Sequence, residues 1–390
     1  MIFEWKRWFV LSIIFAIAFS LSISLNQVLS APLSSNTYVW DIPAWMPKPI
    51  VASDNPMTVE KVELGRHLFY EKRLSVNGKF ACASCHIQAL AFTDGKSVSV
   101  GTTGEQHPRN AMSLANIAYN SVLTWAHPGM KKLEAQALVP MFGERPVEMG
   151  LAGKEQDILK MLREDTNYHK LFTAAFGQGD NNINLHNLTK ALVSFERSLI
   201  SVNSPYDKYR YGGDKNVISA SAKRGEALFN SERLECFHCH GGLNFSDSIK
   251  HERSAFEEIA FHNTGLYNID GKGAYPASNT GIHEITHKPE DMGKFKAPTL
   301  RNIALTAPYM HDGSIATLEE AIAHYAAGGR TITRGEFTGI GSQNPLKSQF
   351  ISGFKLSSQE KLDLLEFLKS LTDEEFVKNP AFSNPNITGN

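Results

Sequence analysis

Cys82-Ala83-Ser84-Cys85-His86 and Cys236-Phe237-His238-Cys239-His240 hold all four cysteines of the chain. Both pentapeptides have the Cys-x-x-Cys-His spacing by which a c-type haem is attached. Two thiols three residues apart reach the two vinyl groups of one porphyrin. The histidine directly behind them brings an imidazole nitrogen under the iron. A zinc site needs four converging ligands, and one Cys-Cys-His triple supplies at most three. A redox Cys-x-x-Cys pair or a short disulfide gives no reason for a histidine behind both copies. The sequence therefore predicts two covalent haems, one held by Cys82, Cys85 and His86, the other by Cys236, Cys239 and His240.

Outward from these motifs the chain repeats itself once. Leu64-Gly65-Arg66-His67-Leu68-Phe69 runs toward Cys82, and Arg224-Gly225-Glu226-Ala227-Leu228-Phe229 runs toward Cys236. Each half then closes on an amphipathic helix. Leu188, Leu192, Phe195 and Leu199 share one face of the first; Leu364, Leu368 and Leu371, with Leu365 beside them, recur on the second. Strand patterns are scarce. The expected fold is all-α, two cytochrome c-like domains packed face to face, each around one haem. The boundaries are 31–210 for the N-terminal domain and 211–372 for the C-terminal one, with a Gly-, Asp- and Lys-rich linker over Tyr206–Ser221. The Asn- and Pro-rich residues 373–390 read as a flexible tail.

The chain has 390 residues, 42% of them hydrophobic, and a net charge of −1, so it can bury one or two cores and has no basic stripe for nucleic acid. Residues 1–30 differ from the rest. Lys6 and Arg7 precede an uncharged run from Trp8 to Leu25, and Val28-Leu29-Ser30 is a signal-peptidase type of site. The expectation is a secretory signal and a periplasmic protein, with an uncleaved membrane anchor as the alternative. No cysteine in the leader offers a lipid attachment point.

Further stretches resemble the bacterial di-haem cytochrome c peroxidase and MauG family: Ala91-Phe92-Thr93-Asp94-Gly95, Pro146-Val147-Glu148-Met149-Gly150, and Pro298-Thr299-Leu300-Arg301-Asn302 through Asp312-Gly313. Glu235-Cys236 through Gly242 and Phe261-His262 through Asn268 are similar to the MbnH-like branch, MauG-like proteins paired with copper-binding partners. The resemblance implies a peroxidatic haem in the first domain and an electron-transfer haem in the second. It implies that Glu148 is the distal acid–base group, with Gln136 its neighbouring amide and Pro140 walling the pocket. It gives Trp125 as the bridge between haems, and Asn110, Thr306 and Pro308 as ligands of one interdomain calcium ion. Neutral oxygens suit such a hard cation.

The stretch Gly101-Thr102-Thr103-Gly104 has no histidine where peroxidases of this family carry a distal ligand, and His107 is the nearest candidate. The first haem is therefore expected to be five-coordinate. For the second, Thr317-Leu318-Glu319-Glu320 reads as a capping box, and Leu318, Ile322 and Tyr325 fall on one face of the helix it starts. Tyr325 is the expected sixth ligand, with His324, placed on the Glu320 face toward solvent, as runner-up and Met310 behind it. A phenolate favours higher oxidation states and a thioether raises the potential. Leu234 stands where MauG carries an exit tryptophan, so no exit residue is assigned.

Three functions are open at this point. The first is a peroxidase that reaches a high-valent, bis-Fe(IV)-like state and oxidises a tryptophan of a partner protein. The second is a cytochrome c peroxidase reducing hydrogen peroxide with electrons from a small cytochrome or cupredoxin. The third is a non-enzymatic di-haem electron carrier.

Overall fold

The computed structural model describes residues 37–179 and 181–386, so the leader expected at 1–30 lies outside the described residues. The described residues from Trp40 onward group as one compact unit. Its longer helices are α1 (Val59–Phe69), α2 (Glu155–Glu164), α3 (Thr166–Phe176), α4 (Leu185–Ser198), α5 (Ala220–Phe229), α6 (Leu318–Ala326) and α7 (Ser358–Lys369). The described residues hold one two-stranded antiparallel ribbon, in which Thr331 faces Ile340. Long loops fill the rest.

Two apolar cores form. One gathers Leu64, Leu68, Phe92, Phe172, Leu188, Leu192 and Phe195; the other gathers Phe229, Phe245, Ile322, Leu364, Phe367 and Leu368. The Gly-x-x-Leu-Phe repeat has a packing reason. A Cβ on Gly65 would sit 2.0 Å from the Ala191 carbonyl oxygen of α4, and one on Gly225 would sit 1.9 Å from the Asp363 carbonyl oxygen of α7. Each glycine lets two helices cross backbone to backbone, and the Leu-Phe pair of α1 and α5 then reaches the core. Gly225→Ala is expected to destabilise the protein by about 3 kcal/mol or more, because neither backbone can retreat from the added methyl. The midpoint of chemical denaturation measures it.

A second repeat accompanies the first. Ser113-Leu114-Ala115-Asn116-Ile117-Ala118 matches Thr299-Leu300-Arg301-Asn302-Ile303-Ala304. Asn116 and Asn302 both take left-handed backbone, with φ of 58° and 61°. Each N–H donates to the carbonyl just beyond a terminal helix, Asn116 to Leu199 at 2.8 Å and Asn302 to Leu371 at 3.0 Å. Short polar side chains tolerate that backbone best after glycine. Beside Asn302, Arg301 is 1% exposed and pairs with Asp207 at 2.8 Å, its other donors satisfied by the Leu243 carbonyl.

Two expectations need correction. Residues 373–390 are not a loose tail throughout. Glu374–Lys378 is a helix capped by Asp373, and Phe376, Val377 and Phe382 are buried in the first core. The linker does not begin at Tyr206: Pro205–Arg210 is helical, with Tyr206 in the second core and Asp207 in the buried ion pair. In both cases isolated aromatics among polar residues hide their burial, since no periodic pattern marks them.

Candidate functional site

The two Cys-x-x-Cys-His motifs are built from the same parts. Cys82–Cys85 and Phe237–His240 are single helical turns. His86 Nδ1 lies 2.8 Å from the Phe92 carbonyl, and His240 Nδ1 lies 3.1 Å from the Phe245 carbonyl. A donated Nδ1–H fixes the ring tautomer and leaves Nε2 free to ligate. Each phenylalanine is itself held. The Ser113 hydroxyl donates to the Ala91 carbonyl and the Thr299 hydroxyl to the Asn244 carbonyl, both at 2.6 Å. The second repeat thus clamps the loop that orients the histidine.

In the second half a deep cavity opens beside Cys236, Cys239 and His240. Its walls include Leu318, Ile322, Tyr325, Met310 and Trp125, so the apolar face of α6 turns toward the cysteines. About 1320 Å³ there is free of protein atoms, part of it open to solvent. Burial, with the two cysteines beside it, pushes the Tyr325 phenol well above its ordinary value, so the bare site keeps it protonated and a bound cation would be needed to hold the phenolate. The predicted capping box is present: the Thr317 hydroxyl accepts the Glu320 N–H, and Glu320 accepts the Thr317 N–H. His324 departs from expectation. It is 5% exposed rather than solvated, and its Nε2 lies 3.1 Å from the carbonyl of Thr264, a residue of the cavity wall that His324 itself does not join. The segment around Thr264 covers that face of α6, a tertiary contact that helical spacing cannot reveal. Burial lowers the His324 pKa to about 4, so the ring is neutral.

Two further titratable groups border this cavity. Lys296 is 2% exposed, lines the cavity and has no hydrogen-bond partner for Nζ among the described residues. Burial pulls its pKa down to about 8. His262 lies 2.5 Å from Asp247; burial lowers its pKa, but its bonds to Asp247 and Cys239 override that and push it up to about 10. An apolar cavity with two thiols, a tautomer-fixed imidazole and an orphaned ammonium fits a macrocycle that carries carboxylates.

In the first half, Glu148 sits in the loop after Leu138–Phe142, and its charge is felt at both Cys82 and Cys85. Burial raises its pKa and His107 pulls it back. His107 Nε2 lies 3.8 Å from Glu148 Oε1. The Met149 N–H donates to the Pro140 carbonyl at 2.9 Å, which brings Pro140 to the same loop. Gln136 ends the short helix Leu133–Gln136, and no hydrogen bond joins it to Glu148 among the described residues.

Trp125 links the halves. Its Nε1–H donates to the Asn110 carbonyl at 2.9 Å, its ring lines the second cavity, and its carbonyl accepts the Lys296 N–H at 2.8 Å. The Asn110 N–H donates to the His311 carbonyl at 2.8 Å, which sets Asn110 against the loop carrying Thr306 and Pro308. The Asn110 side-chain amide spends its N–H on the Lys96 carbonyl at 2.7 Å, leaving Oδ1 available to a cation.

Comparison with known proteins agrees with this geometry. A family model described as di-haem cytochrome c peroxidase matches residues 59–216. A cytochrome c peroxidase of Pseudomonas sp. strain SCT is 34% identical over 346 residues, covering 85% of each chain. The methylamine utilization protein MauG of Methylophilus methylotrophus is 33% identical, covering 84% of this chain and 86% of that protein. A crystal structure of a MauG-like protein associated with microbial copper homeostasis is 49% identical, with a TM-score of 0.87 over 89% of this chain and 99% of that one.

Proposed function

The chain belongs to the di-haem cytochrome c peroxidase and MauG family, oxidoreductases that use peroxide, and from that premise we propose that it oxidises a tryptophan of a partner protein. Tyr325, on the cavity wall with His240, carries the reading. The likeness to a MauG-like protein tied to copper homeostasis points to a copper-binding partner. Export to the periplasm follows from the leader.

When bound, the haems supply the two-electron chemistry with peroxide and keep the oxidising equivalents. The protein does the rest. Cys82, Cys85, Cys236 and Cys239 would hold the two groups covalently, and His86 and His240 would ligate through Nε2. Glu148 takes a proton from one peroxide oxygen and returns it to the other, which leaves as water. Gln136 lines the same pocket. Tyr325 would hold the second iron as phenolate, a ligand that favours the electron-poor state. Trp125 stands between the halves as the path for charge. Asn110, Thr306 and Pro308 would hold calcium near it, which would fix the two halves in register. Each peroxide thus removes two electrons and two protons from the partner's indole.

Met310 lines the same cavity, and this favours a second reading. With a thioether on the second iron the protein would reduce peroxide with electrons from a small cytochrome or cupredoxin.

Incubation with peroxide and a copper-binding partner tests the proposal. Mass spectrometry is expected to find an oxidised tryptophan in the partner, and peroxide consumption that requires a reduced small cytochrome would overturn it. Haem count is a simpler check: the double substitution Cys236→Ala with Cys239→Ala, which removes both thioether bonds of the second haem, is expected to retain one covalent haem in place of two by pyridine haemochrome assay. Two haems surviving that substitution would refute the attachment.

A further inference from the structure

His107 is the one histidine on the hairpin in front of Glu148, and the two are held together by more than proximity. The hairpin closes through the Val100–Gln106 bridge and the His107 N–H, which donates to the Ser99 carbonyl at 2.9 Å. It docks on the Glu148 loop at three points. The Thr102 N–H donates to the Glu148 carbonyl at 2.7 Å. Glu105 accepts the Val147 N–H at 3.0 Å. Gly101 presses on the loop so closely that a Cβ there would lie 1.9 Å from the Val147 carbonyl oxygen.

The imidazole is oriented from its other side. Nδ1 lies 3.1 Å from the Arg109 backbone N–H and 2.9 Å from the Arg109 carbonyl. A neutral ring accepts from the N–H there, and a protonated ring donates to the carbonyl. In both of these states Nε2 carries a proton and faces Glu148, whereas a neutral ring that donates Nδ1–H to the carbonyl leaves Nε2 bare; only the protonated ring presents a cation to the carboxylate. Other charged groups nearby are occupied: Glu105 by Val147, Asp94 by the Ser99 hydroxyl and the Lys96 N–H, and Arg109 by Asn279 and Glu284. Glu144 and Arg145 ride the Glu148 loop itself; the carboxyl is pushed up by burial and pulled back by His107.

We propose that His107 is a positioning residue for Glu148, its protonated ring turning Nε2–H to the carboxylate so that the form able to accept a proton from peroxide is favoured. The side chains of His107 and Glu148 are 31% and 30% exposed, so solvent protons reach the pair from one side. This inference rests on Glu148 being the acid–base group.

The test uses the intact di-haem protein in its ferric state. The Glu148 carboxyl is titrated by infrared difference spectroscopy, with Glu148→Gln as the blank, in wild type, His107→Gln and His107→Lys. An opposite charge this close lowers a carboxyl pKa, and partial exposure limits the effect to about one unit. The midpoint is therefore expected to rise by about one pH unit in His107→Gln and to return in His107→Lys, which restores the cation. The acid limb of the peroxide reaction moves with it. An unmoved midpoint in His107→Gln, with both haems still attached, overturns the proposal. So does a resting first haem that is low-spin in wild type and high-spin in the variant, since His107 would then be an iron ligand. If Glu148→Gln reacts with peroxide at the wild-type rate, the underlying reading fails instead, whatever the titration gives.

Discussion

Glu148→Gln is expected to slow the reaction with peroxide by about 10²–10⁴-fold while both haems stay in place. The amide has the shape of the carboxyl and keeps the loop, whose anchors are backbone groups: the Thr102 N–H to the Glu148 carbonyl, and the Met149 N–H to the Pro140 carbonyl. What it loses is the ability to take a proton from one peroxide oxygen and pass it to the other. Among the described residues, only His107 is near enough to share a charge with Glu148. The pH dependence has a definite sign. Burial raises the Glu148 pKa above the usual carboxylate value, so the basic form is lost as pH falls through that raised value. The wild-type rate therefore falls on the acid side, and the variant's residual rate does not follow that limb. Stopped-flow spectra across pH measure both. An unchanged rate would return Glu148 to the ordinary surface acids.

Local chemistry was legible in the sequence wherever one short segment determines it. The Cys-x-x-Cys-His motifs, the Thr317 capping box and the shared face of Leu318, Ile322 and Tyr325 each depend on spacing within a turn or two. Contacts between distant segments were not. His324 reads as exposed because its cover, Thr264, is 60 positions away in the chain. Phe376 and Phe382 read as tail residues because the core that buries them lies in the first half. Lys296 belongs to no pattern, and its significance comes from where its Nζ ends, in a cavity with no partner. The repeat from Ser113 to Ala118 and from Thr299 to Ala304 stood in the sequence all along. Its left-handed asparagines, at φ of 58° and 61°, supply the physical reason to look for it.

Tyr325→Met is expected to convert the second centre from one that keeps oxidising equivalents to one that hands electrons on. The substitution stays on the cavity wall formed by α6. Haem attachment through Cys236, Cys239 and His240 is untouched. The ligand chemistry changes sign. A phenolate donates charge and stabilises the oxidised iron, whereas a neutral thioether stabilises the reduced one, so the potential of the second haem rises by on the order of 100–300 mV. Mild donors then reduce it, and peroxide turnover with a small reduced cytochrome increases. Oxidation of the partner protein falls away, because the second centre no longer retains its equivalent until the partner is engaged. His324→Ala is the matched control. His324 does not itself line the cavity and its Nε2 is spent on the Thr264 carbonyl, so its loss is expected to leave the potential within experimental scatter. Potentiometric titration of both variants, together with the yield of modified partner per peroxide, decides the assignment. A potential unmoved in Tyr325→Met would make Tyr325 a packing residue and pass the ligand role to Met310, the other candidate on the same wall. A potential moved by His324→Ala instead would mean that α6 turns its other face to the iron once haem is bound.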